Sequence, residues 1–288
     1  MVIRIKNNEL RITRVDIEEI KQNLFSTKTE CIMNSEYEFL YRDTIDFILD
    51  QYQKFSNKIE DKKALEHMLP IAVQSDFVIK NEDQFENLLD AKIEETLLQA
   101  KPVSSITKII DYPAQDENAL ARLILLRYSR LNSDQIREKI PMLTIEQKET
   151  IYQHYLQADP NRQILDFIPY TIELTTDILT IQKIKKLLNG NVLTQPFSIH
   201  HGYYTPDEIL NSDDHGEYIL MMKRALDAYK KMSPQLSTKA FYIVPLAFMQ
   251  KVIFTISINK LKTWDFPFVE DVLMQIKHVN PTVFQGLN

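Results

Sequence analysis

The sequence predicts an α+β fold in which helix outweighs strand. Three observations carry this: long stretches with apolar residues three and four apart, a few short stretches that alternate apolar with polar, and turn-forming residues between them. With 288 residues, 44% hydrophobic and 26% charged, the chain can bury one large core or two modest ones, and nothing in it reads as disordered.

Residues 2–13 read as two alternating runs around Asn7 and Asn8, a hairpin, and Asp16 is placed to cap the helix after it. Helical spacing follows at 36–55 (Phe39, Leu40, Ile45, Ile48, Leu49, Tyr52) and again at 82–100 (Phe85, Leu88, Leu89, Ile93, Leu97). Lys101-Pro102-Val103-Ser104-Ser105 interrupts the pattern and marks a boundary, giving units 1–103 and 104–288. Residues 106–111 read as a strand, after which Pro113 and Asp116 introduce a helix through Leu120, Leu123, Ile124 and Tyr128. Thr144 and Gln147 stand at capping-box spacing, so a helix opens there, runs through Tyr155 and ends at Pro160. Residues 170–175 alternate as a half-buried strand does, and 177–188 return to helical spacing, with Gly190 as the C-cap. Thr205-Pro206-Asp207-Glu208 reads as a helix start, with a capping hydroxyl, a proline in the first turn and two acids at the positive end of the dipole. Residues 218–232 are helical, 245–262 extended, and 268–279 form a closing helix.

An internal repeat is visible. A helix ending in Tyr52 to Ser56 precedes Met68-Leu69-Pro70-Ile71-Ala72, and a helix carrying Tyr229 to Ser233 precedes Ile243-Val244-Pro245-Leu246-Ala247, each leading into an extended run. The shared order predicts a partial duplication.

Composition removes several classes of function. A net charge of -6 argues against nucleic acid as the main partner. The single cysteine, Cys31, rules out an intrachain disulfide framework and cysteine-based zinc sites, and fits a reducing compartment. No cysteine or acid stands at a familiar zinc spacing, and Asp213, Asp214 and His215 read as a solvated loop, so no metal site is expected. The first residues carry charge and lack the apolar stretch of a signal peptide or membrane span, which makes the cytoplasm the default location. Only four glycines occur, none before Gly190, which excludes phosphate cradles of the P-loop and Rossmann kinds.

The most informative stretch is 195–209, Gln-Pro-Phe-Ser-Ile-His-His-Gly-Tyr-Tyr-Thr-Pro-Asp-Glu-Ile. It resembles the loop-to-helix segment of the long, internally duplicated relatives of flavin-dependent thymidylate synthase. Ile109-Ile110-Asp111-Tyr112-Pro113, the helix at 119–129 with Arg127-Tyr128-Ser129, the strand at 167–177 and the run at 242–259 resemble the same family in the same order. Residues 37–89 look like the closing part of its first half, so 1–103 reads as a truncated first repeat. The resemblance implies a helix-rich, flavin-dependent thymidylate synthase-like α+β fold. In that family a reduced flavin passes hydride while methylenetetrahydrofolate donates a one-carbon unit to C5 of dUMP, with no cysteine nucleophile. The protein holds anionic ligands in register, a task suited to the planar, permanently charged guanidinium. By resemblance, Lys186, Gln195, Ser198 and His201 are the cofactor-binding positions.

The departures from the family are all losses of positive charge. Its Arg-His-Arg motif falls on Lys186-Leu187-Leu188, and from 163 to 288 the only arginine is Arg224. A second arginine-bearing element falls on Ser257-Ile258-Asn259 and Phe266-Pro267-Phe268 without arginine, and the N-terminal repeat has Asn81-Glu82-Asp83 at the matching place. These losses predict a degenerate homologue that binds no FAD, does no catalysis and acts by association, as a homodimer or with a related synthase. The alternative is an active or residual FAD- and dUMP-binding enzyme that uses lysines.

Other readings stand side by side. Lys183, Lys185 and Lys186 form either a residual phosphate patch or the solvated face of a helix whose other face is Ile178, Ile181, Ile184 and Leu188; the amphipathic pattern favours the second. His200 and His201 suit nucleotide contact or loop satisfaction, and Gln195 and Ser198 suit a pyrimidine or flavin ring or their own loop. Arg122, Arg127, Arg130 and Arg137 lie among Asp134 and Glu138 and read as a salt-bridged surface. Phe241, Tyr242, Phe248 and Phe254 read as core.

Overall fold

Apolar side chains three and four apart build most of the architecture. The computed structural model describes residues 20, 24, 29–59, 62–73, 106–114, 116–159, 161–195, 199 and 201–285. The expected hairpin at 2–13, the cap at Asp16, the helix at 82–100, the boundary at 101–105 and the acid-bearing stretch at 81–83 lie outside these residues.

The described elements are α1 (Glu30–Met33), α2 (Glu38–Ser56), α3 (Lys62–Glu66), β1 (Thr107–Asp111), α4 (Asp116–Tyr128), α5 (Ser133–Lys139), α6 (Ile145–Ala158), β2 (Pro169–Asp177), α7 (Ile178–Leu187), β3 (Leu193–Thr194), α8 (Asp207–Leu210), α9 (His215–Leu236), β4 (Met249–Ser257), α10 (Ile258–Lys262), α11 (Phe268–Val279) and α12 (Pro281–Gln285). Short 3-10 turns lie at Ile71–Val73, Ile140–Met142, Gln163–Phe167 and Ser237–Ile243. The fold is therefore α+β and helix-rich. Among the described residues no helix is long and apolar enough to cross a membrane.

The chain forms two compact units. One comprises 1–103, 176–190 and 194–250; the other comprises 104–175, 191–193 and 251–288.

One sheet, drawn mostly from residues of the second unit, runs in the order β1-β2-β4-β3. β1 pairs antiparallel with β2, Thr107 opposite Leu174 and Ile109 opposite Ile172, until Ile110 is inserted as a bulge and Asp111 meets Thr171. Thr171 touches Thr255 at 3.0 Å and Glu173 pairs with Lys251 at 3.2 Å, so numbers rise along β2 as they fall along β4 and these strands are antiparallel as well. β1 is an edge strand, and its outer backbone is read by one side chain of α11: Gln275 Oε1 accepts from Ile109 N at 3.2 Å while its Nε2 donates to Thr107 O at 3.2 Å. The amide thus stands in for a neighbouring strand. Gln275→Ala is expected to cost about 1 kcal/mol and to promote self-association, read by urea denaturation and turbidity.

The helices of this unit are set by local caps. Thr144 accepts from Gln147 N at 3.3 Å and Gln147 Oε1 accepts from Thr144 N at 2.9 Å, the box that the sequence predicts. Asn132 and Gln135 make a second such box that opens α5. Beyond α6, Asp159 accepts from Tyr155 Oη at 2.9 Å and from the backbone of Asn161 and Gln163, which holds Arg162 at a left-handed φ of 50°.

The first unit is built on α2 and α9. Tyr41, Ile45, Ile48, Leu49, Tyr52 and Phe55 from α2 share one core with Met221, Met222, Ala225, Ala228 and Met232 from α9. After each helix the chain reaches a proline, and the two prolines face each other as an antiparallel bridge, Pro70 with Pro245. Ile71 N donates to Val244 O at 2.9 Å, and Leu246 N donates to Leu69 O at 2.9 Å. The residue after each proline therefore bonds the residue before the other, in both directions.

Several local expectations are corrected. Extended structure does not continue to 262: Ser257 caps Lys260 N at 3.3 Å, and Ile258 and Leu261, three apart and both buried, turn the chain into α10. Thr205 is not a cap; Pro206 holds that position without a side-chain bond, and α8 is a single turn closed by Asn211 Nδ2 on Asp207 O at 3.0 Å. At the end of α7 the left-handed residue next to the C-cap is Asn189, φ 51°, and Gly190 follows at φ 79°. Gly190 N on Lys185 O and Asn189 N on Lys186 O complete a Schellman closure. After Pro70 the chain makes a 3-10 turn, and the extended run expected beyond Val73 lies outside the described residues.

Candidate functional site

The loop that carries the resemblance is clasped to β4 and to the segment before it. Gln250 Nε2 donates to Gln195 O at 2.7 Å, Met249 N donates to Gly202 O at 2.9 Å, and Tyr204 N donates to Ala247 O at 2.8 Å. Both ends of the loop are thus fixed by consecutive residues of one strand. Gly202 takes a φ of 79°, a conformation open to glycine, which lets the chain turn back toward Phe248.

Beneath this loop the first unit holds a buried pair of histidine and carboxylate. His67 Nε2 lies 3.3 Å from Asp177 Oδ1, with the side chains 13% and 7% exposed. Backbone pairing brings them together. Ala247 N donates to His67 O, while Ile178 N, next to Asp177, donates to Leu246 O and Phe248 O. Asp177 also caps α7: its Oδ1 accepts from Thr180 N at 2.8 Å and its Oδ2 accepts from the Thr180 hydroxyl at 2.7 Å. Burial pushes its carboxyl up, but the bond and charge of His67 and the two bonds from Thr180 outweigh burial and hold it below the usual carboxylate value.

Tyrosines surround the pair. The Tyr204 ring lies 4.9 Å from the His67 ring, and Tyr218 Oη donates to Tyr204 O at 2.7 Å. The Tyr203 ring lies 6.2 Å from that of Tyr218 and 5.8 Å from that of Phe248. Burial raises the phenols of Tyr203, Tyr204 and Tyr218, and nearby acids push Tyr204 further in the same direction. All three stay protonated at neutral pH. Both Asp177 oxygens are spent on internal bonds, so the cluster works as a clamp on the loop and on α7.

The expected site residues fall into three groups. Gln195 is exposed with its carbonyl committed to Gln250, and His201 is half-buried at the turn before Gly202. Ser198 and His200 lie outside the described residues. Lys186 lies on the last turn of α7, exposed, and its ammonium makes no ion pair among the described residues. No bond joins Lys186 to the loop among the described residues. Along α7, Lys183 is exposed while Ile178, Ile181 and Ile184 are buried, the amphipathic arrangement expected. Among the described residues no group of three or more His, Cys, Asp or Glu is placed to hold a metal.

Sequence reasoning missed His67 and the pairing of Asp177. His67 stands three residues before Pro70, where the segment before Pro245 has Tyr242, so no local signal marked it.

No protein-family model matches the chain, and no curated protein matches it. Among solved structures it is similar to the crystal structure of a UMP/dUMP methylase, PolB, from Streptomyces cacaoi, bound with 5-Br dUMP. The TM-score is 0.46 at 10% sequence identity, with 62% of this chain and 93% of that chain covered.

Proposed function

We propose that this chain is a non-catalytic relative of the flavin-dependent thymidylate synthases that acts by association with a second copy of itself. The observation that carries the reading is the last turn of α7. Where the resemblance puts Arg-His-Arg, the chain has Lys186, an exposed ammonium, then Leu187, 45% exposed, then Leu188. The pyrophosphate of a flavin dinucleotide calls for several fixed donors. One point charge and two leucines do not fit it.

The second arginine-bearing element supports the same reading. Ser257 is used to cap α10, and Asn259 Nδ2 donates to Arg162 O at 3.1 Å. Phe266 and Phe268 stack at 5.3 Å beside Trp264, so positions that the resemblance gives to ligand contact hold the protein's own packing. The reciprocal bonds about Pro70 and Pro245 are those of any antiparallel bridge, and a duplication would fit them.

A catalyst of this family must release the hydrogen at C5 of dUMP when the one-carbon unit replaces it. Purified protein given tritiated dUMP, methylenetetrahydrofolate, FAD and a reductant is expected to release no tritium above a protein-free control. Light scattering at micromolar concentration is expected to give the dimer mass. Sustained tritium release would support the second reading, a residual enzyme using lysines; exposed Lys183 and Lys186, three apart on α7, favour it. A monomer would remove the association.

A further inference from the structure

The second unit contains a cleft that the thymidylate synthase reading does not use. It has a volume of about 300 Å³ and lies where β1 ends, β2 begins and α4 passes. Phe167, 70% exposed, and Tyr112, 39% exposed, present their rings there to water. Leu123 supplies apolar wall, and Ala119, four residues earlier on the same face of α4, leaves room beside it. Arg122 and Asp111 line the same cleft, and neither makes an ion pair or side-chain hydrogen bond among the described residues. The bulge at Ile110 shifts the register of β1 next to Asp111, a device common beside binding sites because it re-aims a side chain.

These features are complementary to one kind of molecule. Two wet aromatic rings favour a flat aromatic partner, since stacking adds to the gain from burial. An uncommitted guanidinium offers paired donors to a carboxylate or phosphate, and an uncommitted carboxylate accepts from an N–H or O–H. The volume is at the lower end for ligand pockets and suits one or two fused rings. We infer that this cleft binds a small aromatic acid that carries a hydrogen-bond donor on its ring, with Arg122 on the acid, Asp111 on the donor, and Tyr112 and Phe167 against the ring. No residue of α7 or of the 195–204 loop takes part, so the cleft is independent of the proposed function.

The test is titration of the full chain with 6-hydroxy-2-naphthoate, followed by ligand-observed NMR. The expected result is saturable binding at millimolar concentration or tighter. Octanoate, which has the charge without the ring, and 2-naphthylmethanol, which has the ring without the charge, are each expected to bind about tenfold more weakly or worse. Arg122→Gln is expected to weaken binding by about tenfold, and Phe167→Ala by about threefold. Both side chains are exposed, so thermal melting of the variants should match the parent. Failure of 6-hydroxy-2-naphthoate to saturate, equal binding of octanoate, or undiminished binding by folded Arg122→Gln would overturn the inference. Tritium release and FAD binding are read independently of every arm.

Discussion

Asp177→Ala is expected to cost about 2–4 kcal/mol of folding stability, because it leaves His67 Nε2 without its buried partner and uncaps α7 at once. That is a large share of the roughly 5–15 kcal/mol available to an ordinary domain. Asp177→Asn separates the two roles. Asparagine is a good N-cap, so the bond to Thr180 N survives, and the remaining loss reports the carboxylate's pairing with His67. The pH dependence follows from the direction of the shift. The Asp177 carboxyl lies below its ordinary value of 3.8, so its contribution is fully present above that value and is lost as pH falls through the lower native value. Urea denaturation of parent and variants at neutral pH and across the acid range checks both statements. The parent should lose stability toward the variants only at the acid end.

Phe248→Ala carries the second large effect, about 3–5 kcal/mol. Phe248 is buried, packs on Tyr203, and gives its carbonyl to Ile178 N at the start of α7. Its loss opens a cavity under the 201–204 loop rather than at the surface. Amide exchange at Tyr204, which is bonded to Ala247, should therefore accelerate along with global unfolding. Tyr112→Ala, at a half-exposed position in the other unit, is the control and should cost less than about 1 kcal/mol.

Legibility in the sequence followed the range of the forces involved. α11 begins and ends where apolar spacing placed it, at Phe268 and Val279, and α6 opens on the expected box of Thr144 and Gln147. Those signals are local: a period of 3.6 and a cap within one turn. The core positions of Phe241, Tyr242, Phe248 and Phe254 were legible from their aromatic character alone. α10 was missed because its apolar residues continue a strand pattern without a break, and only the Ser257 cap marks the change. The pair of His67 and Asp177 was not legible at all. Asp177 reads as a helix start, which it is, but its partner lies 110 positions earlier by residue number and is delivered by backbone pairing with 246–248. The similar order of residues about Pro70 and Pro245 was visible, whereas the bonding of the two segments to each other is a tertiary fact. For the expected ligand positions, residue identity could be read but its commitment could not: whether Asn259 faces a ligand or holds Arg162 O depends on a turn far from it in the chain.

The positions matching the family's flavin and nucleotide contacts are expected to bind neither ligand. The visible absorption spectrum of the purified protein tests this most directly, before and after dialysis against FAD with dUMP. Oxidised flavin absorbs near ~450 nm as a property of the cofactor itself. The predicted result is no absorbance there above free-cofactor background in either sample. Near-equimolar bound FAD in either one would contradict the account.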